Sequence, residues 1–246
     1  MLTDTQLSQI MRNAAPAKRQ SFLTPLNDAM QEHGITSLLR TAAFIAQLAH
    51  ESGEFRFMEE LWGPTAAQKR YEPPSDLAER LGNSQAGDGK RFKGRGPIQI
   101  TGRFNYKKYG DLLVVDLVAG PDGAATPEIG FATAGLFWQR NGLNELADAG
   151  NFKEITRRIN GGQNGAAERE RFYEIAKQVL TSAFPVVAAQ PVSRGAPRAK
   201  PASVAAPPAS AFGRGREEVV KRKRSAAPAS GKRVRRKKAV DDNQKS

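Results

Sequence analysis

The sequence predicts a mainly α-helical domain over residues 1–183, broken by a short β-hairpin or loop region, and a disordered basic tail over 184–246. Three observations carry this. Apolar residues recur at helical spacing in segments that stop at glycine. One glycine-rich span, residues 87–110, interrupts that pattern. Charge is also segregated: residues 184–246 hold 16 of the 38 Lys and Arg but 4 of the 25 Asp and Glu, a net +12 that leaves the first 183 residues at +1.

Each element has its own warrant. Thr36 or Ser37 can cap a helix running to about Glu51, and Gly53 can end it. Residues 142–149 make a short helix stopped by Gly150. Residues 152–159 make another, closed by Asn160-Gly161-Gly162, and residues 166–180 a longer last helix. In the glycine-rich span, glycines 87, 89, 94, 96 and 102 surround Pro97-Ile98-Gln99-Ile100-Thr101, which reads as a loop and a short strand. Residues 103–109 follow as helix or turn. The span is no phosphate loop, because Gly94 is followed by Arg95-Gly96 and not by Lys and Ser or Thr.

Composition narrows the chemistry. There is no cysteine, so disulfides and thiolate metal sites are out. The only histidines are His33 and His50, and position 54 is Glu, so the two-histidine helix of a zinc protease is absent. No metal and no cofactor are expected, and acid–base work falls to carboxylates. No basic segment followed by an apolar core opens the chain, and no apolar run reaches the ~20 residues of a membrane span, Asp116 interrupting the longest candidate. A soluble, cytoplasmically made monomer is the expectation. The tail is rich in Pro, Ala and Ser, lacks Trp and Tyr, and cannot bury enough apolar surface to offset its ordering entropy. Its clusters Lys221-Arg222-Lys223-Arg224 and Lys232-Arg233-Val234-Arg235-Arg236-Lys237-Lys238 suit a polyanion such as an anionic envelope, wall polymer or nucleic acid.

One carboxylate stands out. Phe44, Leu48 and Glu51 occupy i, i+4 and i+7 of one helix face, so Glu51 prolongs an apolar stripe. It also lies at the helix C-terminus, where the macrodipole disfavours negative charge. Partial burial and that dipole both raise a carboxyl pKa, as a general acid requires.

The segment Ala46-Gln47-Leu48-Ala49-His50-Glu51-Ser52-Gly53-Glu54-Phe55-Arg56 resembles the first signature of the family 19 glycoside hydrolases, the lysozyme-like chitinases and related phage endolysins. Gly94-Arg95-Gly96-Pro97-Ile98-Gln99-Ile100-Thr101-Gly102-Arg103-Phe104-Asn105-Tyr106 resembles the family's most diagnostic stretch. Ile155-Thr156-Arg157-Arg158-Ile159-Asn160-Gly161-Gly162 and Arg169-Glu170-Arg171-Phe172-Tyr173 are similar to its later motifs, in the family's order. The resemblance implies a lysozyme-like, two-lobed helical fold with a cleft for a β-1,4-linked amino-sugar polymer. It implies an inverting reaction, in which one carboxylic acid protonates the leaving oxygen and a second carboxylate activates water.

On that resemblance Glu51 aligns with the acid, and the base must be Glu54, Glu59 or Glu60. Glu54 would lie about 5–6 Å from Glu51 on a continuing helix, too close for an intervening water. Glu60 would face the opposite way on a continuous helix, and can serve only if the chain turns after Gly53. The endolysin branch carries its second acid at this nine-residue spacing, so Glu60 is chosen, with Glu59 the fallback. The resemblance also places Gln99, Thr101, Phe104 and Asn105 along the cleft, Thr101 holding the attacking water and Phe104 stacking where many relatives have Tyr. Asn160 and Arg169 would bind sugar amide groups and steady the carboxylates, and Arg169 beside Glu60 would keep the base ionised. His50, Tyr106 and Trp138 read as structural. The expected function is an endolysin-type peptidoglycan hydrolase; the alternatives are a chitinase, or an inactive carbohydrate-binding or antimicrobial protein working through its tail.

Overall fold

A computed structural model describes residues 1–181; the two basic clusters and the expected boundary at 183 lie outside the described residues. The helices in chain order are α1 (Asp4–Ile10), α2 (Pro16–Glu32), α3 (Leu38–Ser52), α4 (Ala66–Lys69), α5 (Asp76–Leu81), α6 (Asp88–Arg91) and α7 (Arg103–Leu113). A 3₁₀ turn (Pro121–Ala125) precedes α8 (Pro127–Arg140), α9 (Leu143–Asp148), α10 (Phe152–Asn160) and α11 (Ala166–Leu180). None of the helices among the described residues is long and apolar enough to cross a membrane.

Local chemistry sets the ends. The Ser37 side chain accepts from the Arg40 N–H to start α3, and Gly53 closes it in the left-handed region at φ 58°. Pro127 occupies the first turn of α8 after a Thr126 cap, and the Asn151 side chain caps α10. The expected helices around α3, α9, α10 and α11 all form, within a residue or two of their anticipated ends.

The expected short strand is the main difference. Arg95 pairs with Ile100 and with Glu59 through isolated bridges, and no longer strand forms among the described residues. Pro97 offers no N–H, and Gln99 turns into the left-handed region at φ 57°, so the loop closes on itself before a ladder can extend.

The core is organised around α3. Every residue from Thr41 to Ala49 is buried, so this helix is covered on all sides rather than along one stripe. α11 runs against it and α2 against α8. Phe22, Phe55 and Phe131 meet edge to face with centroids 5.4–5.5 Å apart, and Phe44 meets Trp138 at 5.2 Å. Trp138 Nε1 donates to Asn144, and Asn144 Nδ2 donates to the His33 carbonyl, which satisfies the polar atoms this burial entails.

The turn after α3 decides where the second carboxylate goes. Glu54 and Phe55 both take positive φ, at 59° and 62°. The fully buried Phe55 ring joins the aromatic trio, while the Glu54 carboxylate accepts from Asn13 N at 2.8 Å and Asn13 Nδ2 at 2.6 Å. These two anchors hold a costly backbone in place and redirect the chain after Gly53.

Candidate active site

Glu51 reaches the end of α3 as a buried carboxylate, 7% exposed. Its partner is Arg169 from the first turn of α11, itself 1% exposed. A second guanidinium nitrogen donates to Gln47, one turn before Glu51 on α3, and Gln47 Nε2 donates to Thr156 Oγ1 at 2.9 Å. Two acceptors at i and i+4 therefore grip one planar, forked donor. Burial penalises the Glu51 carboxylate while the guanidinium favours it, so the two influences oppose each other.

This pairing corrects the sequence expectation for Arg169. The guanidinium sits against Glu51, where the expectation had put it beside Glu60. The reason lies in α3, whose Gln47 and Glu51 face α11 together. Arg169 Nε points at the Asn164 carbonyl at 3.4 Å, and Asn160 Nδ2 donates to the same oxygen at 3.1 Å. Asn160, at the end of α10, is thus tied to the Arg169–Glu51 pair through a shared backbone acceptor.

Of the three carboxylates weighed as base, Glu54 is consumed by Asn13. Glu59 is exposed and accepts from Arg95 Nε at 3.0 Å, with Lys93 Nζ at 3.2 Å. Glu60 is half-buried in a different setting: Oε2 accepts from Gly94 N–H at 3.0 Å and Oε1 from Gln68 Nε2 at 3.0 Å. Its own N–H donates to the Gly94 carbonyl at 2.7 Å. Glu60 is therefore bound to the glycine-rich loop by side chain and backbone alike, which fixes its direction.

That loop carries the remaining expected residues. Gly94 lies so close to them that a Cβ there would sit 2.8 Å from Gln99 Oε1 and 3.3 Å from Thr101 Oγ1. Gln99 Nε2 donates to the Gly96 carbonyl at 2.7 Å, and Thr101 Oγ1 donates to the Gln99 carbonyl at 3.1 Å. With its proton so engaged, Thr101 offers a water only lone pairs. Asn105 Nδ2 donates to the Thr101 carbonyl at 2.8 Å, while its buried Oδ1 meets no donor among the described residues. Phe104, 55% exposed at the start of α7, is free to present its face outward. Arg95 anchors the loop from beneath, donating to Tyr106 Oη at 2.9 Å and to Asp122 at 2.6 Å. Burial pushes the Tyr106 phenol well above its usual range, with Arg95 pulling the other way, so it stays a donor to the Lys93 carbonyl.

The expected residues thus form two networks. Glu51, Arg169 and Asn160 make one; Glu60, Gln99, Thr101 and Asn105 make the other, with Phe104 next to Asn105 in the chain. Residues 53–58 link them, the Met58 carbonyl accepting from Gly96 N–H at 2.8 Å. Gln47, Gln68 and Gly94 hold the carboxylates in place, and sequence reasoning did not assign them that work. Gln47 was traceable from its i, i+4 relation to Glu51, whereas nothing local marks Gln68. Tyr106 and Trp138 are core residues, as expected.

Known proteins place the chain in a family. Residues 28–182 match the family 19 glycoside hydrolase model described as chitinase class I. A glycosyl hydrolase family 19 domain-containing protein of Haemophilus influenzae is 32% identical over 196 residues, covering 70% of this chain and 94% of that protein. An endochitinase of Arabidopsis thaliana is 36% identical over 156 residues, 61% of this chain, and the match spans about half of the plant protein (51%). Chitinase C from Streptomyces griseus shares the fold, with a TM-score of 0.55 at 24% identity, over 72% of this chain and 91% of that one. The chain belongs to glycoside hydrolase family 19 and is a glycosidase.

Proposed function

We propose that this glycosidase is an endolysin-type hydrolase that cuts β-1,4 bonds between the amino sugars of peptidoglycan, with inversion. Glu51 protonates the departing oxygen and Glu60 draws a proton from the attacking water. The observation that carries the reading is the turn at Gly53. It ends α3 directly after a buried Glu51 and leads the chain to Glu60, whose two oxygens take hydrogen bonds from Gly94 and Gln68. Thr101 would accept a hydrogen bond from the water, the orphan Asn105 Oδ1 would take a substrate N–H or hydroxyl, and Phe104 would stack on a sugar face. Asn160 would bind an acetamido group at the acid's side of the cleft.

The nine-residue spacing of Glu51 and Glu60 favours the endolysin branch, and a tail of net +12 suits an anionic wall or lipopolysaccharide. On this view the protein is made in the cytoplasm and reaches the wall through a membrane lesion made by another protein. Chitin is the second reading, favoured by the endochitinase among the relatives. Mass spectrometry of purified peptidoglycan and colloidal chitin digested in parallel tests the choice. Muropeptides with a new reducing-end amino sugar support the proposal; chitin oligomers with intact peptidoglycan overturn it. Glu51→Gln addresses the remaining alternative, since lysis of permeabilised cells surviving that change would assign activity to the tail.

A further inference from the structure

We propose that His50 and Glu168 are a positioning pair that sets the acid through Arg169, an inference that rests on Glu51 being the acid. Two contacts on consecutive residues join the last turn of α3 to the first turn of α11. Glu51 pairs with Arg169, and His50 Nδ1 lies 2.8 Å from Glu168 Oε2. Consecutive helical residues point about 100° apart, so the two contacts brace the α11 terminus from two directions. One fixes distance and the other fixes rotation.

The fold makes room for this. The His50 ring lies over Gly165, the residue capping α11, and a Cβ there would sit 2.2 Å from His50 Cε1 and 2.6 Å from Nε2. Gly165 is also left-handed, at φ 68°. A helix start ordinarily favours Ser, Thr, Asp or Asn, whose side chains cap it. Here the capping side chain is absent and an imidazole occupies its space, so α11 is located by His50 where another helix would be located by its own cap.

The consequence falls on Glu51. Arg169 is a rigid fork whose nitrogens meet Glu51, Gln47 and the Asn164 carbonyl. A small rotation of the first turn of α11 breaks that match, and the carboxyl group loses its orientation to the leaving oxygen. Misplacement by about 1 Å costs up to about 100-fold in rate. The charged groups facing His50 are Glu168 and Arg169 from α11 and Glu51 from its own helix. Burial first, then Arg169, hold the imidazole below its ordinary value, so near neutrality it is uncharged and Nδ1–H donates to the Glu168 carboxylate. The imidazole is a neutral brace beside the acid, and the proton it holds is not transferred to substrate.

Steady-state kinetics of the full chain on a soluble oligosaccharide, either peptidoglycan fragments or chitin oligomers, test this across pH. Wild type is compared with H50A, H50Q, H50N and E168L, each checked for its melting temperature. Asn places an amide N–H where Nδ1 stands, whereas Gln reaches toward Nε2. H50N should keep kcat within about 3-fold, while H50A, H50Q and E168L lose about 10- to 100-fold in kcat with KM little changed. With Arg169 less tightly held, the ionised acid loses a stabilising cation, so the alkaline limb of kcat moves to higher pH in those three variants. The proposal is overturned if E168L, folded but with no oxygen to accept from Nδ1–H, keeps wild-type kcat and limb, or if H50N is as impaired as H50A. An E51Q enzyme that still turns over would instead sink the acid assignment itself, which keeps the two failures apart.

Discussion

At the residue scale, the proposed chemistry depends on a buried carboxylate paired with an arginine. Glu51→Gln preserves shape but has no proton to give, so kcat should fall by about 10²–10⁴-fold with the fold intact, read by kinetics beside circular dichroism. Removing the partner should cost stability as well. Arg169→Met takes the cation from a buried carboxylate, and loss of one member of such a pair is worth about 3–5 kcal/mol, visible in urea unfolding. His50 adds a pH term. Its pKa is lowered in the fold from the ordinary 6.5, mainly by burial and next by Arg169, so the native state resists protonation. The stability it confers is complete above 6.5 and is lost as pH falls through the depressed value, and H50N should flatten that acid-side fall in melting temperature. Glu51 was legible in the sequence because its helical phase showed a carboxylate on an apolar face. Its direct pairing with Arg169 was not, since Arg169 stands 118 residues away and only the packing of α11 on α3 brings them together.

At the scale of elements, the decisive feature is the end of α3. Gly53→Ala forces a side chain into the left-handed region and toward the Phe57 ring, whose Cδ2 would lie 3.1 Å from the new Cβ. The expected cost is about 1–2 kcal/mol, a drop of several degrees in melting temperature. Because Glu60 follows this turn, kcat should fall too. Glu54→Gln separates the two effects: it weakens the anchor to Asn13 and lowers stability by about 1–3 kcal/mol, but leaves kcat of the folded enzyme near wild type. The helices that announce themselves by periodicity and a closing glycine, α3 and α9 to α11, were readable. Others were not, for identifiable reasons. α2 carries Pro25 in its interior, α8 carries Gly130 and Gly135, and α4 and α6 are four residues each. The loop at 94–101 kept its residues but not its strand, because Pro97 and the left-handed Gln99 close it early.

At the scale of the whole molecule, the chain joins a nearly neutral glycosidase to a segment of opposite character. Truncation after Ala183 should leave turnover on soluble fragments unchanged, while weakening lysis of permeabilised whole cells at low salt. The deficit should shrink as salt rises toward 1 M, where the screening length falls to about 3 Å. The composition made this division visible, and the four ordered motifs made the family visible; the pairing inside the site required the fold. Its central claim, that Glu51 and Glu60 act on opposite faces of the sugar with a water between, is tested most directly by proton NMR of the anomeric centre during the first turnovers. With inversion, the new reducing end appears first as the α-anomer and then equilibrates. A β-anomer appearing first would contradict it, since retention leaves Glu60 no water to activate.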